Sequence, residues 1–368
     1  MDAMTLAGRK LLVTGASGFV GARLVEALAE QSFPVTAAIR HSRGSERIAH
    51  LAIDRRSADL VDAGAVRRMV AGHDVVFNLA YDHTRSGQAN VEIGRCIADA
   101  CVAEGVRRLI HASSIVVYDD WPSGDLAETS RRGGGDGDEY RAAKWTIECD
   151  LAARAAAGTL DCVILQPTIV YGPFSPLWTD RFAAALLAGR LVLPPGALGR
   201  CNGLYVDDLV TALLAAATSA VPAGSHYIIS GSEPFPWSQL FAALSHALER
   251  NWGERAPLAR APLPGHARHD RPAGRERTVR PVLRWLRRRL GAAAVAKMRA
   301  RAQGWIAPGG LTTCDPVGES PALFLDSGTC DIAAARHELG YEPKYDATAG
   351  LAATAEYLGR RYMPPPRI

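Results

Sequence analysis

The chain has 368 residues, 42 Lys+Arg against 38 Asp+Glu, a formal net charge of +4 and 48% hydrophobic residues, enough for one extended α/β domain and a smaller lobe. With a mean hydropathy of −0.02 and no 18-residue apolar run, no membrane span is expected, and Met1-Asp-Ala-Met-Thr5 has neither the basic nor the apolar region of a leader. The seven cysteines (96, 101, 149, 162, 201, 314, 330) lack a CxxC pair or metal-ligand spacing, which predicts no metal and buried thiols in a cytoplasmic protein.

Strand-like runs fall at residues 10–14, 35–39, 75–79, 109–112 and 162–166, with helical patterns at about 18–30, 62–71, 88–104 and 139–157. This alternation predicts an α/β fold, a doubly wound parallel sheet with helices on both faces. Arg131-Arg-Gly-Gly-Gly-Asp-Gly-Asp138 is too glycine-rich and polar to pack, and predicts a mobile loop. After Pro167, prolines 173, 176, 194 and 195 punctuate a helix-dominated pattern, which predicts a smaller, mostly helical C-terminal lobe. A return to the sheet around 204–230 makes the first domain, residues 1–170, discontinuous; residues 171–203 and 231–362 then form the lobe. Residues 253–277 read as a long irregular segment and 363–368 as a frayed tail. Ten basic residues and one acid lie between Arg275 and Arg301. In that stretch residues 279, 283, 286 and 290 put an apolar stripe opposite arginines. The stripe suits a helix covering the lobe, or peripheral contact with an anionic membrane surface through 279–301. No aromatic platform accompanies the charge, so no nucleic-acid partner is expected.

The apolar run Leu11-Leu12-Val13 ends in Gly15, and Gly18 and Gly21 follow at three-residue steps into a helical pattern. A strand, a tight turn and a helix N-terminus make a socket for a pyrophosphate, because unpaired amides and the helix dipole face the anion. Gly15 lets the chain turn, Gly18 lets backbone approach the phosphates, and Gly21 lets helix and strand pack closely.

Two further clusters carry chemistry. Tyr140 and Lys144 stand four apart, on one face of a helix. Lysine is scarce here, confined to positions 10, 144, 297 and 344, so one at a special position stands out. A neighbouring ammonium favours phenolate, so Lys144 is expected to lower the tyrosine pKa for proton exchange with a substrate oxygen. Ser114, just after a strand, is placed to donate a hydrogen bond to that oxygen.

Together these pieces resemble the extended short-chain dehydrogenase/reductase family, of the NAD-dependent epimerase/dehydratase type. The matching stretches are Thr14–Gly21, Asp59-Leu60, Asn78-Leu-Ala80, Ser113-Ser114, Tyr140-xxx-Lys144, Gln166–Pro173, Tyr205-Val-Asp-Asp-Leu209 and Leu339–Pro343, while residues 240–330 match poorly. The resemblance implies a Rossmann domain, a substrate lobe, a homodimer and a catalytic Ser114–Tyr140–Lys144 set. Lys144 would also bind the nicotinamide ribose. The coenzyme would further be held by Gly15, Ser17, Gly18, Phe19, Val20 and Gly21, by Asp59 and Leu60 at the adenine, by Leu79, Ala80 and Tyr81 at its middle, and by Ser113, Pro167 and Ile169.

No Asp or Glu lies between Glu30 and Glu46, where members that take NAD usually carry an acid; Arg40 and Arg43 stand there instead. Guanidinium groups suit a 2′-phosphate, which favours NADP(H) over NAD(H), though solvated surface arginines read the same way. The acid pair of nucleotide-sugar dehydratases is replaced by Ile115 and Val116, which excludes water elimination. The arginine that grips a nucleotide-sugar diphosphate is replaced by Cys201, beside Arg200. The expected activity is therefore hydride transfer at a secondary alcohol or ketone of a small sugar-like or terpenoid/steroid-like substrate. Nucleotide-sugar epimerisation and redox-silent sensing are the alternatives.

Overall fold

The computed structural model describes residues 6–40, 45–135, 137–188, 198–252 and 321–362. Its first half alternates β1 (Leu11–Thr14), α1 (Phe19–Glu30), β2 (Val35–Ile39), β3 (Asp54–Ser57), α2 (Ala63–Val70), β4 (Val75–Asn78), α3 (Gly87–Ala103), β5 (Arg108–Ala112), α4 (Glu139–Ala156) and β6 (Cys162–Pro167). Then come β7 (Ile169–Tyr171), α5 (Arg181–Leu187), β8 (Arg200–Cys201), β9 (Gly203–Tyr205), α6 (Val206–Thr218), β10 (His226–Ile229), β11 (Phe235–Pro236) and α7 (Trp237–Trp252). Beyond residue 320 lie α8 (Pro321–Leu325) and α9 (Ala347–Arg361).

Seven strands form one parallel sheet in the order β10-β6-β5-β4-β1-β2-β3. Strands β1, β4 and β6 are buried along their whole length, which is why their sequences are nearly unbroken apolar runs. The edge strand β3 is the exception. Its sequence Asp-Arg-Arg-Ser carries no apolar signal and was not among the expected strands. Pairing with β2 and the Arg55 guanidinium, which donates to the carbonyls of Ile48 and Leu51 at 2.5 and 2.8 Å, hold it in place.

Three apolar cores result. The first lies against one face of the sheet and includes Leu11, Leu24, Phe77, Ile110 and Tyr227. The second gathers Tyr171, Phe182, Trp237, Phe241, Phe324 and Leu351 from the elements after β6. The third packs Leu12, Val76, Leu109 and Ile164 of the sheet against Val66, Ile97 and Ile147 of α2, α3 and α4. Ile332, Leu339 and Tyr341 belong to the first, and the Tyr341 hydroxyl donates to the Ser230 carbonyl at 2.8 Å.

The glycine-rich segment departs from the loop expected there. Arg132 bridges to Tyr118, the Gly133 amide donates to Val117 O at 2.8 Å, and Arg141 Nε donates to Gly133 O at 2.9 Å. Its arginines and backbone make the contacts that its glycines lack. The cysteines also differ from expectation: Cys101, Cys162 and Cys201 are buried, Cys96 and Cys330 partly so, and Cys149 is exposed because it lies on the outer side of α4. Arg43, Cys314, residues 253–277, the basic stretch 275–301 and the tail 363–368 lie outside the described residues. Among the described residues, no helix is long and apolar enough to cross a membrane, and no group of three or more His, Cys, Asp and Glu could hold a metal ion.

Candidate active site

Carboxyl ends of parallel strands point the chain into turns on one side of the sheet, where ligands of open α/β folds bind. β1 turns at Gly15, whose φ of 68° is a region where side chains are strained. A Cβ there would stand 2.7 Å from the Leu79 carbonyl oxygen, and one on Gly21 2.2 Å from that of Gly15. Turn, helix and neighbouring strand therefore touch at backbone contact. Gly18 caps α1 without any side-chain hydrogen bond, which leaves the first-turn amides to an outside acceptor.

In front of this turn opens a cleft of about 230 Å³. Gly15, Ser17, Gly18, Arg40, Asp59, Leu60, Leu79, Ala80 and Tyr81 line it, as do Ala38, Ile39, Ala58, Asp82, Arg85 and Ile93. The latter six were not read from the sequence. Ile39 adjoins the expected Arg40, and Asp82 and Arg85 extend the Asn78–Tyr81 run. Val20 packs against the first core and Phe19 against the second, Gly21 is buried beneath the turn, and Ile169 packs in the second core. Pro167 ends β6 and is not among the residues lining the cleft.

The mouth of the cleft is ringed by ion pairs. Arg40 pairs with Asp82, and Arg85 bridges Asp82 and Asp59 at 3.2 and 3.0 Å. Burial would raise Asp82, yet the Thr84 hydroxyl and amide and the Arg40 guanidinium hold it down at about 2.

Beside Tyr81 of the cleft lining, the end of β5 and the start of α4 carry Ser114, Tyr140 and Lys144. Asp138 caps α4 by accepting the amides of Tyr140 and Arg141 at 2.9 and 3.2 Å, which sets both Tyr140 and, one turn on, Lys144. The Ser114 hydroxyl, which accepts the Val116 amide at 3.4 Å, lies close enough to the Tyr140 phenol to favour its ionised form. Lys144 Nζ donates to the Ala112 carbonyl at 2.8 Å and lies 5.8 Å from the centre of the Tyr140 ring. Tyr81 packs edge-on to Tyr140, with ring centres 4.8 Å apart, and His83 stacks on it at 5.8 Å. No sequence signal marked His83, an ordinary loop histidine until the fold brings it to the phenol.

The shift expected for the tyrosine is reversed. Burial pushes the Tyr140 phenol up, with Ser114 pulling the other way. Burial also pushes Lys144 down to about 8, against the attraction of Glu148. Desolvation outweighs an ammonium that spends a hydrogen bond on Ala112. Beneath lies a polar ladder across the sheet: Thr14 Oγ1 donates to Asn78 Oδ1 at 2.9 Å, and Asn78 Nδ2 lies 3.2 Å from His111 Nδ1. Burial and the nearby Lys144 keep His111 far below the usual imidazole range.

The uncapped helix start and the backbone cradle at Gly15 and Gly21 fit a dinucleotide's pyrophosphate. Cys201 is buried, 1% exposed, with its thiol in the second core.

Residues 11–230 match the sequence profile of the NAD dependent epimerase/dehydratase family. The 2-alkyl-3-oxoalkanoate reductase of Stenotrophomonas maltophilia is 30% identical over 253 residues, 65% of this chain and 76% of that protein. A 3beta-hydroxysteroid-dehydrogenase/decarboxylase of Arabidopsis thaliana is 28% identical over 289 residues, 67% of this chain and 49% of that protein. A UDP-glucose 4-epimerase from Thermotoga maritima, solved with UDP-glucose, shares the fold with a TM-score of 0.68 at 20% identity, covering 95% of this chain and 99% of that one. The glycine turn, the parallel sheet and the matched profile together place the chain in the NAD dependent epimerase/dehydratase family of extended short-chain dehydrogenases/reductases, as an NAD(P)-dependent oxidoreductase/epimerase.

Proposed function

We propose that the chain transfers hydride between NADP(H) and a secondary alcohol or ketone carbon of a lipophilic small molecule, with a 3-oxo or 3-hydroxy acid as the favoured substrate class. The observation that carries this reading is that Tyr140 and Lys144 both pack on Tyr81, a residue of the cleft lining, with Ser114 beside the phenol. The substrate class rests on a relative named for reducing 3-oxoalkanoates and another named for dehydrogenating a 3β-hydroxyl with decarboxylation.

The bound nicotinamide would supply or accept the hydride. Tyr140, its phenol kept protonated by burial, donates its proton to the carbonyl oxygen in the reducing direction and takes it back in the oxidising one. Ser114 holds the same oxygen by a hydrogen bond that strengthens as charge develops. Lys144, pinned to the Ala112 carbonyl, holds positive charge beside the phenol and would bind the coenzyme ribose. Arg40, on the cleft wall and paired with Asp82, would hold the 2′-phosphate.

Coenzyme oxidation followed by absorbance tests the reading, with 3-oxoalkanoates and 3-oxosteroids as substrates and UDP-sugars as the contrast. Turnover of added NADPH with a keto acid is expected. Interconversion of UDP-sugars with no net coenzyme consumption would establish an epimerase instead. The burial of Cys201, where a diphosphate-gripping arginine would stand, speaks against that outcome.

A further inference from the structure

Glu148 is one helical turn beyond Lys144 on α4, the same face of the helix, and is 2% exposed. A carboxylate so buried needs donors and a counter-charge. Gln166 Nε2 on β6 donates to its two oxygens at 3.1 and 3.0 Å. The amide is oriented by Tyr118, whose hydroxyl donates to Gln166 Oε1 at 2.7 Å. An amide brings no charge. Burial pushes the carboxyl up, and Ser113, Gln166 and the cations Arg132 and Lys144 pull the other way. Arg132, from the glycine-rich segment, is the cation in contact, its Nη1 3.0 Å from Glu148 Oε2 and its guanidinium 5.4 Å from the centre of the Trp145 ring. One buried carboxylate thus ties α4, β6, the turn after β5 and the 131–135 segment together behind the catalytic lysine.

We propose that the Arg132–Glu148 ion pair is a positioning device for Lys144: Arg132 keeps the buried carboxylate ionised, and the carboxylate holds the lysine as an ammonium at the site. The inference rests on the proposed role of Lys144. The groups facing that lysine are Tyr140 and Glu148 on its own helix, Tyr81 and His83 from the loop after β4, and His111 with the Ala112 carbonyl from β5. Glu148 is the acid among them. Neither Arg132 nor Glu148 reaches the reacting atoms, so both act through Lys144.

The pH dependence of NADPH binding, read by fluorescence without any substrate, provides the test. In the wild-type protein affinity falls as Lys144 loses its proton. In Glu148→Gln the midpoint of that fall moves to lower pH by about one unit, because the charge favouring the ammonium is gone. Arg132→Met moves it the same way, since a carboxylate at 2% exposure, already pushed up by burial, binds a proton more readily once the guanidinium in contact with it is removed. Arg132→Met/Glu148→Gln, which strands no charge and therefore folds, shifts it no further than Glu148→Gln alone, and Arg132→Lys returns it to the wild-type value. A folded double variant with the wild-type midpoint, even at a lower Tm, overturns the proposal and leaves the pair as scaffolding. Lys144→Met separates this from the reading beneath it: a Lys144→Met protein with the wild-type affinity and pH profile overturns the role of Lys144 itself.

Discussion

A methyl group at Gly21 makes the sharpest test of the coenzyme turn. It would stand 2.2 Å from the Gly15 carbonyl oxygen, 2.8 Å from the carbonyl carbon and 3.0 Å from Ala16 Cα. Carbon and oxygen settle at about 3.3 Å, so helix α1 and the turn must separate by roughly 1 Å. Every atom in the clash is backbone, so no side chain can rotate away. Overpacking of this kind costs about 1–3 kcal/mol of stability. It also swings the first-turn amides off the pyrophosphate, and misaligning one charge-assisted hydrogen bond worth ~1.5–3 kcal/mol weakens affinity roughly 10- to 100-fold. Gly21→Ala should therefore lose NADPH affinity by that factor in a fluorescence titration while still unfolding cooperatively. Gly359→Ala on α9, where a Cβ meets nothing within 4 Å, serves as control: its coenzyme affinity should match wild type, with stability raised by about 0.5–1 kcal/mol. A folded Gly21→Ala protein whose affinity stays within about two-fold of wild type, against the tenfold expected, refutes the close-contact argument.

Tyr140→Phe should lower turnover by at least ~10² with NADPH affinity unchanged; equal loss of both would mean that the phenol binds coenzyme rather than moving a proton. Because burial holds Lys144 at about 8, its charged form is present below that pH and lost above it. Coenzyme binding should weaken as pH rises through about 8, and Lys144→Met should show no such limb across the same titration. Arg40→Asp should reverse the preference for NADPH over NADH in paired dissociation constants, and an unchanged ratio removes the phosphate role of Arg40. Arg108, 5% exposed, donates to the carbonyls of Ala216, Ser219 and Val221 and to Asp161, stitching β5 to the end of α6. Arg108→Met strands several buried acceptors at ~1–3 kcal/mol each, so urea unfolding should report a loss of at least ~2 kcal/mol; a smaller loss shows that water replaces the guanidinium.

What could be read along the chain was whatever local periodicity and spacing encode. The buried strands β1, β4 and β6 announce themselves as apolar runs because both faces are covered, and Tyr140 and Lys144 share a helix face at any burial. The glycine turn is likewise local, since Gly15, Gly18 and Gly21 all serve one strand-to-helix junction. The polar edge strand β3 had no such signal, because its place is set by pairing with β2. Only the assembled fold decided which charges meet. It paired Arg40 with Asp82 and Arg85 with Asp59 across the cleft mouth, laid His83 on Tyr140, and brought Arg132 from a glycine-rich stretch onto Glu148. It also reversed the shift expected for the Tyr140 phenol, because the cost of burying a phenol and an ammonium depends on everything packed around them and on nothing in their four-residue spacing.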